Sequence, residues 1–234
     1  FRHEKTFVNP TAIAILITDE MPAEEVEGRL KKLNELQYER VGLILKPDLA
    51  ALKSASGDPA KFAELVKVSM EKTDAGLILM SENPDVIEAG LKEAKDRRPL
   101  IYAATKDTAD RFIELAKEYG CPVAVKANGI NALADLTPKF IDAGLKEVVI
   151  DSGVRATRDA FEDQVVMRRA AIVQKFRPLG FPTITFPCEM TSNPLKEALI
   201  ASVFVAKYGS IVVLSDFDGA TLFPLLVSRL NIFT

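Results

Sequence analysis

Residues 99–128 read PLIYAATKDTADRFIELAKEYGCPVAVKAN. The stretch opens and closes on short apolar runs, Pro99 to Ala103 and Pro122 to Val125. Between them Phe112, Leu115 and Ala116 recur at helical spacing, and Gly120 stands where that helix should stop. Apolar residues are nearly continuous in both runs rather than alternating, which marks strands covered on both faces, as in a parallel sheet. The unit is strand, helix, strand.

The same unit repeats in both directions. Further apolar runs cover Ala12 to Ile17, Val41 to Leu45, Ala75 to Leu79, Glu147 to Ile150, Pro182 to Phe186 and Ile211 to Leu214. Val26, Leu30, Leu33 and Leu36 carry one intervening helix, and Phe62, Leu65, Val66 and Met70 another. Asp58-Pro59, Asn83-Pro84, Thr137-Pro138 and Asn193-Pro194 each set a capping side chain before a proline, which predicts a helix start at each. Gly144 is a second predicted stop. Eight strands alternating with eight helices in a chain of 234 residues fit an α/β fold of the (β/α)8 TIM-barrel type as one domain. Residues 1–11 are expected to lead in and residues 12–234 to form the barrel, with the last helix ending near Leu230. Because the chain begins at Phe1 rather than Met, a processed chain or a piece of a longer polypeptide is expected.

Composition narrows the function. Thirty basic and 33 acidic residues give a net charge of -3, with no basic block offset from the acids, which speaks against a nucleic-acid partner. No apolar run reaches the roughly 18 residues of a membrane span, and no signal peptide precedes the first strand, so a cytoplasmic protein is expected. Two cysteines, Cys121 and Cys188, cannot by themselves supply a four-thiolate zinc or iron–sulfur site. The basic cluster Lys95 to Arg98 reads as a solvated helix end.

Barrel chemistry sits at the C-terminal ends of the strands. That rule selects Thr18, Asp19, Glu20, Lys46, Ser81, Glu82, Asn83, Thr105, Lys126, Asn128, Asp151, Ser152, Cys188, Glu189, Ser215, Asp216 and Asp218. The set lacks the histidine cluster of a metallohydrolase, since the single histidine is His3, in a locally polar stretch. It lacks the facing carboxylate pair of a glycosidase, because Glu189 is matched by Thr105. The loops PCEMTSN and SDFDGA carry carboxylates where a barrel phosphate site uses glycine amides. What remains is a candidate rim of ligand-binding groups, Lys126, Asn128, Asp151, Ser152, Glu189 and Asp216. Lys126 suits a Schiff-base lysine if its surroundings lower its pKa, as in an aldolase, or an ion pair with Asp151 or another rim acid. Asn128 and Asp151 suit the N–H and carbonyl edge of a heterocycle, or caps on the helices that follow. Cys188 has no histidine to activate it and reads as a structural thiol. Asp216 and Asp218 read as caps of the last helix.

The lead-in RHEKTF (Arg2 to Phe7) with Asn9-Pro10-Thr11, and the later stretches Lys126 to Gly129, Ile150 to Gly153, Arg168 to Ala171, Phe186 to Glu189 and Leu214 to Asp218, resemble the central barrel of the large (gamma) subunit of the corrinoid iron–sulfur protein family of the acetyl-CoA decarbonylase/synthase system. The resemblance runs along essentially the whole chain. It implies a three-part subunit: a module with a [4Fe-4S] cluster, a barrel, and a module with a cobalt corrinoid. It further implies a methyl group passed from a methyl-pterin donor to acetyl-CoA synthase, and a smaller barrel subunit as partner, with the methyl-pterin methyltransferase and acetyl-CoA synthase reached through the whole complex. This chain departs from that pattern by carrying no cysteine cluster and no room for a corrinoid module. The resemblance therefore implies no cofactor held by these residues and a scaffold role for the barrel. The competing reading is a pterin-binding barrel methyltransferase acting through Asn128 and Asp151.

Overall fold

The computed structural model describes residues 9–233, with the side chain of Lys95 left aside. His3 and the RHEKTF lead-in lie outside the described residues.

Strand β1 (Ala12–Thr18) is followed by α1 (Ala23–Glu35) and a small hairpin, β2 (Tyr38–Arg40) with β3 (Leu43–Leu45). Then come β4 (Leu49–Lys53), α2 (Pro59–Lys72), β5 (Gly76–Met80), α3 (Pro84–Ala94), β6 (Leu100–Ala104), α4 (Ala109–Tyr119), β7 (Val123–Lys126) and α5 (Ile130–Asp142). The chain continues through β8 (Val148–Asp151), α6 (Thr157–Ile172), β9 (Ile184–Thr185), α7 (Pro194–Ala206), β10 (Ile211–Leu214) and α8 (Gly219–Phe233).

Eight strands form one parallel sheet in the order β8-β7-β6-β5-β4-β1-β10-β9. A parallel bridge between Ile150 and Thr183, with Ile150 N donating to Pro182 O at 2.8 Å, joins the two edges and closes the barrel. The (β/α)8 architecture expected from the repeat is the one observed.

Strand residues alternate between two apolar layers. Ile13, Ile15 and Ile17 of β1 point outward into the shell shared with Phe62, Phe112, Phe140 and Phe204 of the helices, all fully buried. Ala14, Ala51, Ala103, Ala124, Ile78, Met80, Val149 and Val213 fill the interior, with Tyr102 and Phe186 as its largest members. Alanines on four of the eight strands leave space for those two rings, which meet at 5.1 Å between centroids.

Two sequence expectations need correction. Val41 to Leu45 is no barrel strand. Val41 and Gly42 have φ of +53° and +73°, a tight turn, and Val41 is 84% exposed. The second barrel strand is Leu49–Lys53, LAALK, whose two alanines hid it. Lys46 therefore precedes that strand and lies at the opposite end of the barrel, where its carbonyl accepts from Arg229 Nη2 at 2.8 Å. Thr137-Pro138 also starts no helix. Both lie inside α5, where the proline is tolerated and Thr137 Oγ1 donates to Leu133 O at 2.7 Å. Asp58 and Asn193 cap α2 and α7 as expected, and Asn83 Oδ1 accepts from Asp85 N at the head of α3. Gly120 ends α4 in the left-handed conformation.

At the N-terminal face Arg229 of α8 ties the barrel together. It donates to Thr11 O at 2.9 Å and pairs with Asp48, which in turn accepts from Ile13 N at 2.9 Å.

Candidate functional site

The centre of the C-terminal face is built on Asp151, the last residue of β8, only 3% exposed. Tyr102 rises from the interior on β6, and its hydroxyl donates to Asp151 Oδ2 at 2.7 Å. The loop after β8 turns back at Gly153, which has φ +74°. A Cβ there would stand 2.5 Å from the Ala127 carbonyl oxygen, so glycine is required at this approach. Gly153 N donates to Asp151 Oδ1 at 2.8 Å. The turn brings Arg155 over the mouth. Its Nη1 and Nη2 donate to Asp151 Oδ1 and Oδ2 at 3.1 and 2.9 Å, and Nη2 also reaches Tyr102 Oη at 3.1 Å. Arg155 Nε donates to Glu189 Oε2 at 2.5 Å. Its guanidinium carbon lies 4.5 Å from the centroid of the Phe186 ring. Lys53 Nζ, at the end of β4, approaches Glu189 Oε1 at 3.5 Å.

The electrostatics follow from this packing. Burial, reinforced by the neighbouring Asp151 carboxylate, pushes the Tyr102 hydroxyl well above its usual pKa, so it remains a proton donor. Burial disfavours the Arg155 charge, but the hydrogen bonds and charge of Asp151 outweigh it and the pKa rises. Burial, then the carboxylates of Glu189 and Glu197, raise Cys188 to about 12. That thiol is protonated and inert near neutrality, as expected of a structural cysteine.

Five of the six expected rim groups, Lys126, Asn128, Asp151, Ser152 and Glu189, gather on one side of the mouth. Lys126 stands in register with Asp151 but pairs with Glu82, Nζ to Oε1 at 2.6 Å. This is the ion-pair reading with a different rim acid. Asn128 is exposed, and its Oδ1 lies near Gly153. The capping readings of Asn128 and Asp151 fail: α5 and α6 begin after Gly129 and Ala156 with no side-chain cap. Ser152 is buried, and its carbonyl accepts from Gly129 N at 2.8 Å. Asp216 belongs to another part of the rim, bonded to Phe217 N and paired with Lys32 at 2.7 Å. Asp218 caps α8, accepting from Thr221 N at 2.9 Å.

The sequence reading missed Tyr102, Arg155 and Lys53. Tyr102 had a usable signal. A tyrosine inside a strand of a small-residue barrel needs a partner for its hydroxyl, and the facing strand ends carry Asp151. Arg155 lay in a loop outside the strand-end positions considered, and Lys53 was lost with its strand.

Two further clamps stiffen the rim. Asp19 accepts from Ser54 Oγ, Ala55 N, Ser56 N and Ser56 Oγ at 2.7–3.0 Å. Glu197 accepts from Ser215 N and Oγ, both at 2.6 Å. A cavity of about 530 Å³ lies away from all of this at the N-terminal face, between Thr11, Gln164, Leu179 and Tyr208. Among the described residues no group of three or more His, Cys, Asp or Glu side chains is placed to hold a metal ion.

Fold and rim together define a (β/α)8 barrel whose mouth is closed by its own ion-paired side chains. The chain belongs to the family described as CO dehydrogenase/acetyl-CoA synthase delta subunit, whose model matches residues 1–234. It is 39% identical over 234 residues to the corrinoid/iron-sulfur protein large subunit of Moorella thermoacetica, covering all of this chain and 52% of that protein. It is 35% identical over 237 residues to acetyl-CoA decarbonylase/synthase complex subunit gamma 1 of Methanosarcina mazei, covering 96% of this chain and 50% of that protein. The resemblance to the large (gamma) subunit thus holds along the whole chain, and the chain spans about half the length of the relatives it matches. Among solved structures the fold matches dihydropteroate synthase from Thermus thermophilus, with a TM-score of 0.66, 14% identity and coverage of 93% and 92% of the two chains. It also matches 7,8-dihydropteroate synthase from Vibrio fischeri, with a TM-score of 0.68, 11% identity and coverage of 95% and 93%.

Proposed function

We propose that residues 12–234 are the barrel domain of a corrinoid iron–sulfur protein subunit, a scaffold in a system that carries a methyl group from a methyl-pterin donor to acetyl-CoA synthase. Residues 1–11 would lead in from an iron–sulfur module. The observation that carries this reading is the chain-long match to a relative about twice as long, named as a corrinoid/iron-sulfur protein large subunit. The residues here do not fit those groups themselves. A [4Fe-4S] cluster needs four thiolates, and the chain has two cysteines. Cys121 is buried and raised to about 11, chiefly by that burial. The cluster would then sit in another part of the parent protein, the corrinoid is proposed to do the same, and no step is assigned to a residue of this barrel.

A scaffold needs a surface for its partner. Leu195, Leu199 and Val203 of α7 are 70%, 66% and 37% exposed, a stripe at spacings of four on a helix whose buried face is also apolar. Val166 on α6 and Val173 just beyond its end are further exposed apolar residues, at 50% and 73%. Such a surface suits a stable partner, and the small barrel subunit of the corrinoid protein is the one this reading names. The methyl-pterin methyltransferase and acetyl-CoA synthase would be met through the parent complex. Co-expression with the small subunit tests the proposal. A complex that survives purification supports it, and a chain that elutes alone counts against it.

The pterin-binding methyltransferase reading rests on Asn128 and Asp151. The dihydropteroate synthase likeness supports it at the level of fold only. Both Asp151 oxygens are engaged by Arg155, so a pterin could reach them only after Arg155 left. A Schiff-base role for Lys126 meets the Glu82 pair, whose carboxylate already holds the amine at 2.6 Å.

A further inference from the structure

Thr11 is buried and pins the chain at the foot of β1. Its Oγ1 donates to Gly209 O at 2.7 Å, its carbonyl accepts from Arg229 Nη1 at 2.9 Å, and Ala12 N donates to Ser210 O at 2.9 Å. Gly209 and Ser210 line the cavity of about 530 Å³ at the N-terminal face, and so do Asn9, Pro10 and Thr11 themselves. Covalent geometry alone then sets Val8 Cα within about 4 Å of the Cα of Asn9, and Phe7 Cα within about 7 Å.

The cavity has the chemistry of a seat for a short apolar stretch of chain. Met167, Leu179, Phe181, Val205, Ile232 and Phe233 supply its apolar surface. Its volume falls in the roughly 300–1,000 Å³ range of pockets that take a ligand, far above the voids of a close-packed interior. One polar group is left over. Gln164, 4% exposed, meets Thr183 Oγ1 at 2.7 Å with one end of its amide, and the other end has no partner among the described residues. A peptide backbone offers an N–H and a C=O at each residue, so a chain lying here would complete that amide. The segment within reach reads Phe1-Arg2-His3-Glu4-Lys5-Thr6-Phe7-Val8, with its apolar pair next to Asn9.

We propose that this cavity is the seat of the chain's own residues 1–8, with Phe7 and Val8 as apolar anchors and a backbone group bonded to Gln164. The lead-in is then part of the N-terminal face rather than a free linker. Whatever precedes Phe1 in a longer parent protein would be tethered at the face opposite the mouth. The seating does not rest on the scaffold reading, and either can fail without the other.

Limited trypsin digestion of the full chain, read by mass spectrometry at the Lys5–Thr6 bond, is the test. Trypsin grips several residues beyond the cut, so Thr6, Phe7 and Val8 must leave the cavity before cleavage. Compared with the free peptide of residues 1–10, the intact chain should be cut at least ~50-fold more slowly, because only the open fraction is a substrate. Phe7→Ser removes the anchor, and Ala206→Trp fills the cavity from the exposed end of α7. Each should speed cleavage at least ~10-fold against a peptide of matching sequence, while circular dichroism shows an intact barrel. The two changes lie on opposite sides of the contact, so if one loses the fold the other carries the test. Cleavage of the wild-type chain at the rate of the peptide would overturn the proposal and leave the cavity to some other molecule. Protection that neither variant relieves would overturn it equally, because the bond would then be shielded elsewhere.

Discussion

Arg155 lays its guanidinium fork on both oxygens of Asp151, four residues earlier in the chain, at 3.1 and 2.9 Å. The carboxylate is 3% exposed and the arginine side chain 23%. A buried charge is tolerable only while its partner stays in place, so removing one member leaves the other unpaired. Asp151→Ala should therefore cost about 3 kcal/mol, whereas Tyr102→Phe, which removes one hydrogen bond and leaves the ion pair, should cost about 1 kcal/mol. Thermal unfolding of the two variants checks the order. Equal losses would mean that the ion pair does not organise the mouth.

The rim loops depend on Asp19 as well. Its partial burial alone would raise its pKa, but donors from Ser56, Ala55 and Ser54 outweigh that and hold it below the ordinary 3.8. A lowered carboxyl pKa contributes stability that is present above the unfolded value and lost as pH falls through the folded one. Asp19→Asn should destabilise the chain at pH 7, and the gap from wild type should shrink below about pH 4. Urea melts at pH 7 and pH 3.5 measure both. A gap that stays constant with pH would show that Asp19 acts only through shape.

Both thiols should be silent in the native chain. With Cys188 near 12 and Cys121 near 11, raised first of all by burial, the thiolate fraction at pH 8 falls about a thousandfold and a hundredfold below that of a free cysteine. Iodoacetamide labelling followed by mass spectrometry should give two fast sites in denaturant and none in buffer on the same timescale. Rapid native labelling of Cys188 would mean that the mouth opens readily.

Gly90 is a packing test. A Cβ there would meet the Phe62 ring at 2.8 Å and Leu79 at 3.3 Å, where α3 presses on α2 and β5. Alanine gains about 1 kcal/mol in helix propensity, but overpacking costs about 1–3 kcal/mol. Gly90→Ala should lower the melting temperature. A rise would show that the Phe62 ring can move aside.

The fold was legible in the sequence because its outward-facing strand residues are large and β-branched, as in Ile13, Ile15 and Ile17, and because proline and asparagine or aspartate mark helix starts at Asp58, Asn83 and Asn193. The exceptions share a cause. LAALK carries alanine where the barrel needs little volume, so composition did not announce a strand, while the exposed hairpin residues Leu43 and Ile44 mimicked one. At the rim, strand-end position picked out Lys126, Asn128, Asp151, Ser152 and Glu189, which lie on neighbouring strand ends. Their partners were not legible. Arg155 reaches Asp151 only because Gly153 reverses the loop, and that reversal is a property of backbone conformation at φ +74°.

The role proposed for this barrel is that of a docking scaffold. Sedimentation velocity of the chain mixed with the small barrel subunit at ~10 μM tests it most directly. The wild-type chain should give one 1:1 species, and Leu199→Glu, which sets a charge in the middle of the α7 stripe, should abolish it. Two unassociated species with the wild-type chain would contradict it.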